Sequence, residues 1–149
     1  MVKRVTAEGN GMWGSLDIPT SGMIAQRTRL DAISANLANR DALYNAEGEY
    51  EPYLRRVVRL AAGDPSAGTA RGQSMGVHVA TIEQDASALR VKYDPKHAAA
   101  DKDGNIRVPD INSVSEQVDA MTAARAYEAN IAAAEAIKQM GSQAIGMLA

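Results

Sequence analysis

The sequence predicts a mainly α chain with a small β insert. N- and C-terminal helices pair as a coiled-coil-like inner domain, with an antiparallel β unit of about three or four strands between them. Three observations carry this. Leu16, Met23, Leu30 and Leu37 recur every seven residues, the spacing of a narrow apolar seam. Nine of the seventeen residues from Ala120 to Ala136 are alanine, the strongest helix former. Between these segments, short β-prone runs are separated by glycine- and proline-containing turns.

Residues 1–15 carry Gly9, Gly11 and Gly14 without apolar periodicity and are expected to be a flexible arm. Residues 16–40 hold the first helix, over 17–39. Pro19 suits its first turn, where a missing N–H costs nothing, and Asp17 suits the positive helix end. Asn39 is expected to stop the helix in the left-handed conformation. Residues 41–112 form the β-rich segment. Its strands are Tyr53–Leu60, the alternating Val77–Ile82, Leu89–Tyr93 and a short run at Ile106–Val108, with 63–68 a loop and Lys102–Asn105 a turn. Residues 113–149 hold the second helix, over 113–147. Ser113 and Glu116 have the spacing of a capping box, in which hydroxyl and carboxylate satisfy each other's backbone amides.

The two helices are unequal, at ~50 Å against ~35 Å by the rise per residue. The apolar and alanine positions of the longer one drift around its axis, so it needs cover on more than one side. A chain of 149 residues with no Phe and one Trp has little bulk to supply that cover. The missing partners are therefore expected to be other chains. The candidate assembly interface is Leu16, Met23, Leu30, Ile33 and Leu37 on the first helix. On the second it is Val118, Met121, Ala124, Ile131, Ala134, Ile137 and Met140. In Ser34–Asn39 two amides lie three residues apart, which either cap the helix end or bond to backbone at a packed junction.

Other chemistries find little support. Sixteen basic against eighteen acidic residues give no electrostatic footprint for nucleic acid. Cysteine is absent, which removes disulfides, thiolate metal sites and a Cys nucleophile. The only histidines, His78 and His97, have no zinc-ligand spacing, and no glycine-framed serine elbow is present. A calcium loop counted from Asp101 would put Gly104 fourth and Asn112 twelfth, where that motif needs glycine sixth and a carboxylate twelfth. Arg55, Arg56, Arg59, Arg90 and Lys92 are expected to be a solvated basic face. No cofactor and no metal are expected. The basic start Met1–Arg4 is not followed by the apolar run of roughly 7–15 residues that a cleaved signal requires. No segment approaches the ~18 apolar residues of a membrane span. The competing readings are a helical adaptor or chaperone-type module of a type III secretion system, with the alanine face as a client groove, and an enzyme using His97 with Asp94 or Asp101.

Several segments, in this order, resemble the bacterial flagellar basal-body rod proteins. They are Asp17–Asn39 with its Ser-Ala-Asn-Leu-Ala-Asn end, and Glu51–Arg56. They continue with Tyr93-Asp94-Pro95 through Asp101–Asn105 to Val108–Asn112, and with Met121–Met140 containing Arg125–Asn130 and Lys138–Met140. The resemblance covers roughly residues 16–148. It implies a non-enzymatic subunit of the proximal rod, polymerising through terminal helices into the axial drive shaft and export channel, with the central segment facing outward. It implies as partners other copies of the chain, other flagellar rod proteins and the flagellar type III export apparatus. The implied location is the rod in the periplasmic space, reached without a cleaved signal peptide. It also adds Asn36, Asn39, Tyr127 and Asn130 to the contact residues. The arm of residues 1–15 is longer than the family's pattern.

Overall fold

A computed structural model describes residues 12–148 of the chain. A 3-10 helix, Met12–Leu16, runs into α1, Asp17–Ala38. Then come β1 (Arg55–Ala62), α2 (Ala70–Met75), β2 (Val77–Asp85), β3 (Leu89–Tyr93), β4 (Asn105–Pro109) and α3 (Ser113–Leu148). The chain is mixed α and β, about half helical, with the two long helices near its ends.

The helix boundaries follow the sequence closely, but their caps do not. Asn39 has φ −105° and ψ 13°, and no non-glycine residue among those described has positive φ. Asn39 instead ends α1 by donating both its backbone N–H (3.0 Å) and its side-chain amide (2.9 Å) to the Ala35 carbonyl. The α3 cap is one residue earlier than the capping-box pattern suggests. Asn112 Oδ1 accepts the amides of Val114 (2.9 Å) and Ser115 (3.2 Å), which satisfies donors left open at the helix start. Ser113 takes a hydrogen bond from Arg40 (2.7 Å), and Glu116 turns inward. Of the expected flexible arm, Met12–Ser15 belong to the 3-10 helix, and the rest lies outside the described residues.

The β segment is two two-stranded sheets rather than one unit. β1 and β2 pair antiparallel from Arg55↔Asp85 to Ala62↔Val77, with a bulge where Arg59 opposes Thr81 but Leu60 opposes Val79. β3 and β4 pair antiparallel from Leu89↔Pro109 to Tyr93↔Asn105. The connection from β1 to β2 is irregular over 63–68, as expected, and then forms α2. Thr69 caps α2 by accepting the Gly72 amide (3.1 Å) while donating to Asp17 (2.6 Å), which seats it on the first turn of α1.

α1 is the centre of the molecule and packs against α3, β1 and β2. The buried residues of α1 are Pro19, Ser21, Gly22, Ala25, Ala32, Ile33 and Asn36. The seven-residue set Leu16, Met23, Leu30 and Leu37 is only half-buried. With no phenylalanine, close contact comes from small residues. A methyl group added at Gly22 would lie 2.6 Å from Asn130 Oδ1, so the backbones of α1 and α3 approach tightly there.

Gly72 is closed in the same way, since an added Cβ would lie 2.7 Å from both Ala67 Cβ and Asp17 Cβ. Gly72→Ala is expected to lower unfolding free energy by about 1–3 kcal/mol, the usual range for overpacking. Gly68→Ala, in open space, should stay within about 0.5 kcal/mol of the parent. Urea denaturation of both variants measures the difference.

Candidate functional site

The most enclosed polar group of atoms joins α1, β1 and α3. Asn36 and Glu116 are each 1% exposed. The Asn36 side chain meets the backbone of Arg56 as a peptide group would. Its Oδ1 accepts the Arg56 N–H (2.8 Å), and its Nδ2 donates to the Arg56 carbonyl (2.9 Å). The second donor of Nδ2 goes to Glu116 Oε2 (3.1 Å), and Oδ1 also accepts the Tyr53 hydroxyl (3.2 Å). All four hydrogen-bonding positions of the amide are therefore used. Glu116 Oε1 accepts from Arg55 Nε (2.7 Å), and Arg55 extends to within 3.9 Å of Asp119. Burial pushes the Tyr53 phenol up, against the opposing pull of the Arg56 guanidinium.

This joint corrects two expectations. Glu116 is a buried bridge rather than half of a capping box, and Arg55 turns inward to it rather than joining a solvated basic face. Arg56 and Arg59 are exposed, as are Arg90 and Lys92. The amide of Asn36 does bond to backbone at a packed junction, and that backbone is the chain's own.

The remaining candidate interface residues divide by the face on which they fall. α1 and α3 run antiparallel, since Asn36 meets Glu116 near one end and Gly22 meets Asn130 toward the other. By the helical period, Glu116, Ala123, Asn130 and Ile137 share the face of α3 turned to α1. Ile33 is buried, while Leu16, Met23, Leu30, Leu37, Asn39, Ala124, Tyr127, Asn130, Ala134 and Ile137 are half-buried. Val118 and Met121 are each 57% exposed, Met140 59%, and Ile131 lies at the margin of exposure with 36%. Val114, Val118, Met121, Ala132 and Ala136 fall on the opposite side of α3, interspersed with Arg125, Gln139 and Gln143, so this helix carries apolar residues on two opposed sides.

α3 is also too long for its partner. Its 36 residues span ~54 Å against ~33 Å for the 22 of α1. Its last turns, with Met140, Ile145 and Met147 exposed, run past the start of α1. Near that end, an open apolar groove of about 440 Å³ lies between α1, α2 and α3. Ile18, Pro19, Met75, Ala133 and Ile137 line it, with Ser15, Arg71 and Asn130 as its polar contributors.

Among the described residues, no group of His, Asp or Glu is placed to hold a metal, and no helix is long and apolar enough to cross a membrane. An inner joint fixed by hydrogen bonds, with apolar surface on the outside of a long terminal helix, defines a structural assembly protein.

The family relationships agree. A family model described as flagella basal body rod protein matches residues 16–41. A second, described as flagellar basal body rod FlgEFG protein C-terminal, matches residues 102–147. The chain is 35% identical to the flagellar basal-body rod protein FlgC of Borreliella burgdorferi, over 93% of this chain and 98% of that protein. It is 34% identical to FlgC of Bacillus subtilis, over 88% of this chain and 94% of that protein. It is also 34% identical to FlgC of Salmonella typhimurium, over 83% and 88%. The chain belongs to the FlgC family of flagellar basal-body rod proteins, and is a structural subunit of the basal-body rod rather than an enzyme.

Removing Glu116 leaves an Asn36 donor buried and unmatched. Glu116→Ala is expected to cost about 2–4 kcal/mol, less than a fully orphaned buried charge because Arg55 still reaches water and Asp119. Arg29→Ala breaks only the half-exposed 3.5 Å pair with Asp119 and should cost about 0–1 kcal/mol. Denaturant titration of both variants checks the ordering.

Proposed function

We propose that this subunit polymerises through its terminal helices into the proximal part of the rod, forming the axial drive shaft and its export channel. One observation carries the reading: α3 has large apolar residues on two opposed sides, and only one of those sides has α1 against it. The other face, with Val114, Val118 and Met121, is the surface a neighbouring rod subunit covers. The exposed end at Met140, Ile145 and Met147 and the groove beside α2 extend the same interface. In the polymer, the half-buried Leu16, Met23, Leu30 and Leu37 complete a coiled-coil-like seam with neighbouring helices. Residues 16–40 and 113–149 make the inner domain, and residues 41–112 face outward.

The partners on this reading are further copies of the chain and other flagellar rod proteins. Delivery to the periplasmic space runs through the flagellar type III export apparatus, without a cleaved signal peptide. Family membership supports this route.

The paired substitution Val118→Asp and Met121→Asp puts charge on the free face of α3. The purified variant should unfold within about 1 kcal/mol of the parent, because exposed sites away from packing tolerate such changes. In cells lacking the native protein it should fail to restore swimming, and basal bodies should lack a complete rod. Full motility with complete rods would remove this face from the interface.

A further inference from the structure

Two tyrosines, Tyr44 and Tyr50, lie against His97. Its ring stacks at 23° on Tyr44, with centroids 6.1 Å apart, and lies 6.0 Å from the ring of Tyr50. Tyr44 and Tyr50 meet each other edge-on at 6.1 Å, so the three rings form one cluster. Tyr50 is tied to β4, its hydroxyl donating to the Arg107 carbonyl (2.6 Å) and accepting the Arg107 amide (2.9 Å). His97 belongs to the turn between β3 and β4. The cluster therefore joins that turn to the segment between α1 and β1.

The neutral imidazole is held in one tautomer. Its Nδ1 lies 3.1 Å from the backbone nitrogen of Ala99. A backbone N–H only donates, so Nδ1 must be an acceptor and the proton of the neutral ring sits on Nε2. Nε2 faces the Tyr44 hydroxyl at 3.5 Å. A second proton, on Nδ1, would set two N–H groups against each other. His78 is built the opposite way: its Nδ1 lies 2.6 Å from the Gly63 carbonyl, which only accepts, so that bond survives in the charged ring.

We propose that His97 is an acid-released latch: neutral, it accepts the Ala99 amide and holds the β3–β4 turn against Tyr44 and Tyr50, and protonation frees that turn. Titratable and charged groups of both signs occupy the segments around it. In its own turn these are Asp94, Lys96, Asp101, Lys102 and Asp103, and the Asp101 carboxylate is taken by the amides of Asp103 and Asn105. In the facing segment they are Arg40, Asp41, Glu47, Glu49 and Glu51. Asp41 accepts from Arg40, and Glu51 accepts from Asn45. On the flanking strands they are Arg90, Lys92, Tyr93 and Arg107. Among the described residues none forms an ion pair with His97. Cation–π attraction to Tyr44 opposes release, but the ring separation stands at the ~6 Å limit of that interaction.

The test is amide hydrogen exchange on the full-length chain by NMR at about pH 8 and about pH 5, which bracket histidine titration. After correction for the intrinsic pH dependence of exchange, Ala99 protection should fall about tenfold on acidification, the scale of one lost hydrogen bond. The ring resonances of Tyr44 and Tyr50 should move with the His97 titration, and amides around His78 and Ala25 should not. His97→Asn keeps an acceptor for the amide two residues on, as in an Asx-turn, without a titrating ring. Its Ala99 protection should be the same at both pH values. His97→Ala should show low protection at both. Protection that is unchanged or raised by acid in the native chain overturns the proposal. So does an acid-induced loss of equal size in His97→Asn.

Discussion

A single side-chain amide holds the architecture in register. Asn36 offers β1 one acceptor and one donor at the spacing of a peptide group, and Arg56 answers with its own N–H and C=O. This is strand-edge hydrogen bonding delivered from a helix. The remaining donor reaches Glu116 on α3, so one residue sets the positions of three elements. A buried network with every member satisfied is stiff and specific, whereas one with a missing partner is worse than an apolar contact. The sheet of β1 and β2 hangs from this point. So does α2, which leads back through Thr69 to Asp17 at the other end of α1.

The large elements were legible in the sequence because their signals are local. Alanine density and seven-residue spacing mark α3 and α1, and Leu89–Tyr93 is a strand with the bounds its alternation predicts. What stayed hidden depends on contacts between distant residues. Glu116 lies three residues after a serine, which is equally the pattern of a capping box, and only the arrival of Asn36 and Arg55 decides between the roles. The seven-residue positions carry large apolar residues, while α1 and α3 approach closely at Gly22, whose signal is the absence of a side chain. α2 is less than two turns long and lies in a glycine-containing segment, so no periodicity can build up over it. The division of the strands into two sheets is a matter of pairing, which alternation within each strand does not encode.

The choice of alanine explains why a polar joint is needed at all. Alanine surfaces allow helices to approach closely, but each residue removes little apolar area from water, at roughly 25 cal/mol per Å². Apart from Pro19 and Pro109, the described core contains Ala25, Ala32, Ile33, Ile106, Val108 and Ala123 as buried apolar residues, so nonpolar contact alone defines the relative placement of helices and sheet weakly. Hydrogen bonds at Asn36 and Glu116 supply that definition without using bulk. The larger apolar groups, Val114, Val118, Met121, Met140 and Met147, remain outside. Such a division suits a subunit that must be correctly shaped alone and strongly held only in company. Geometry is set within the chain by directional bonds, and on the proposed reading the exposed apolar groups of α3 are left for contacts between chains.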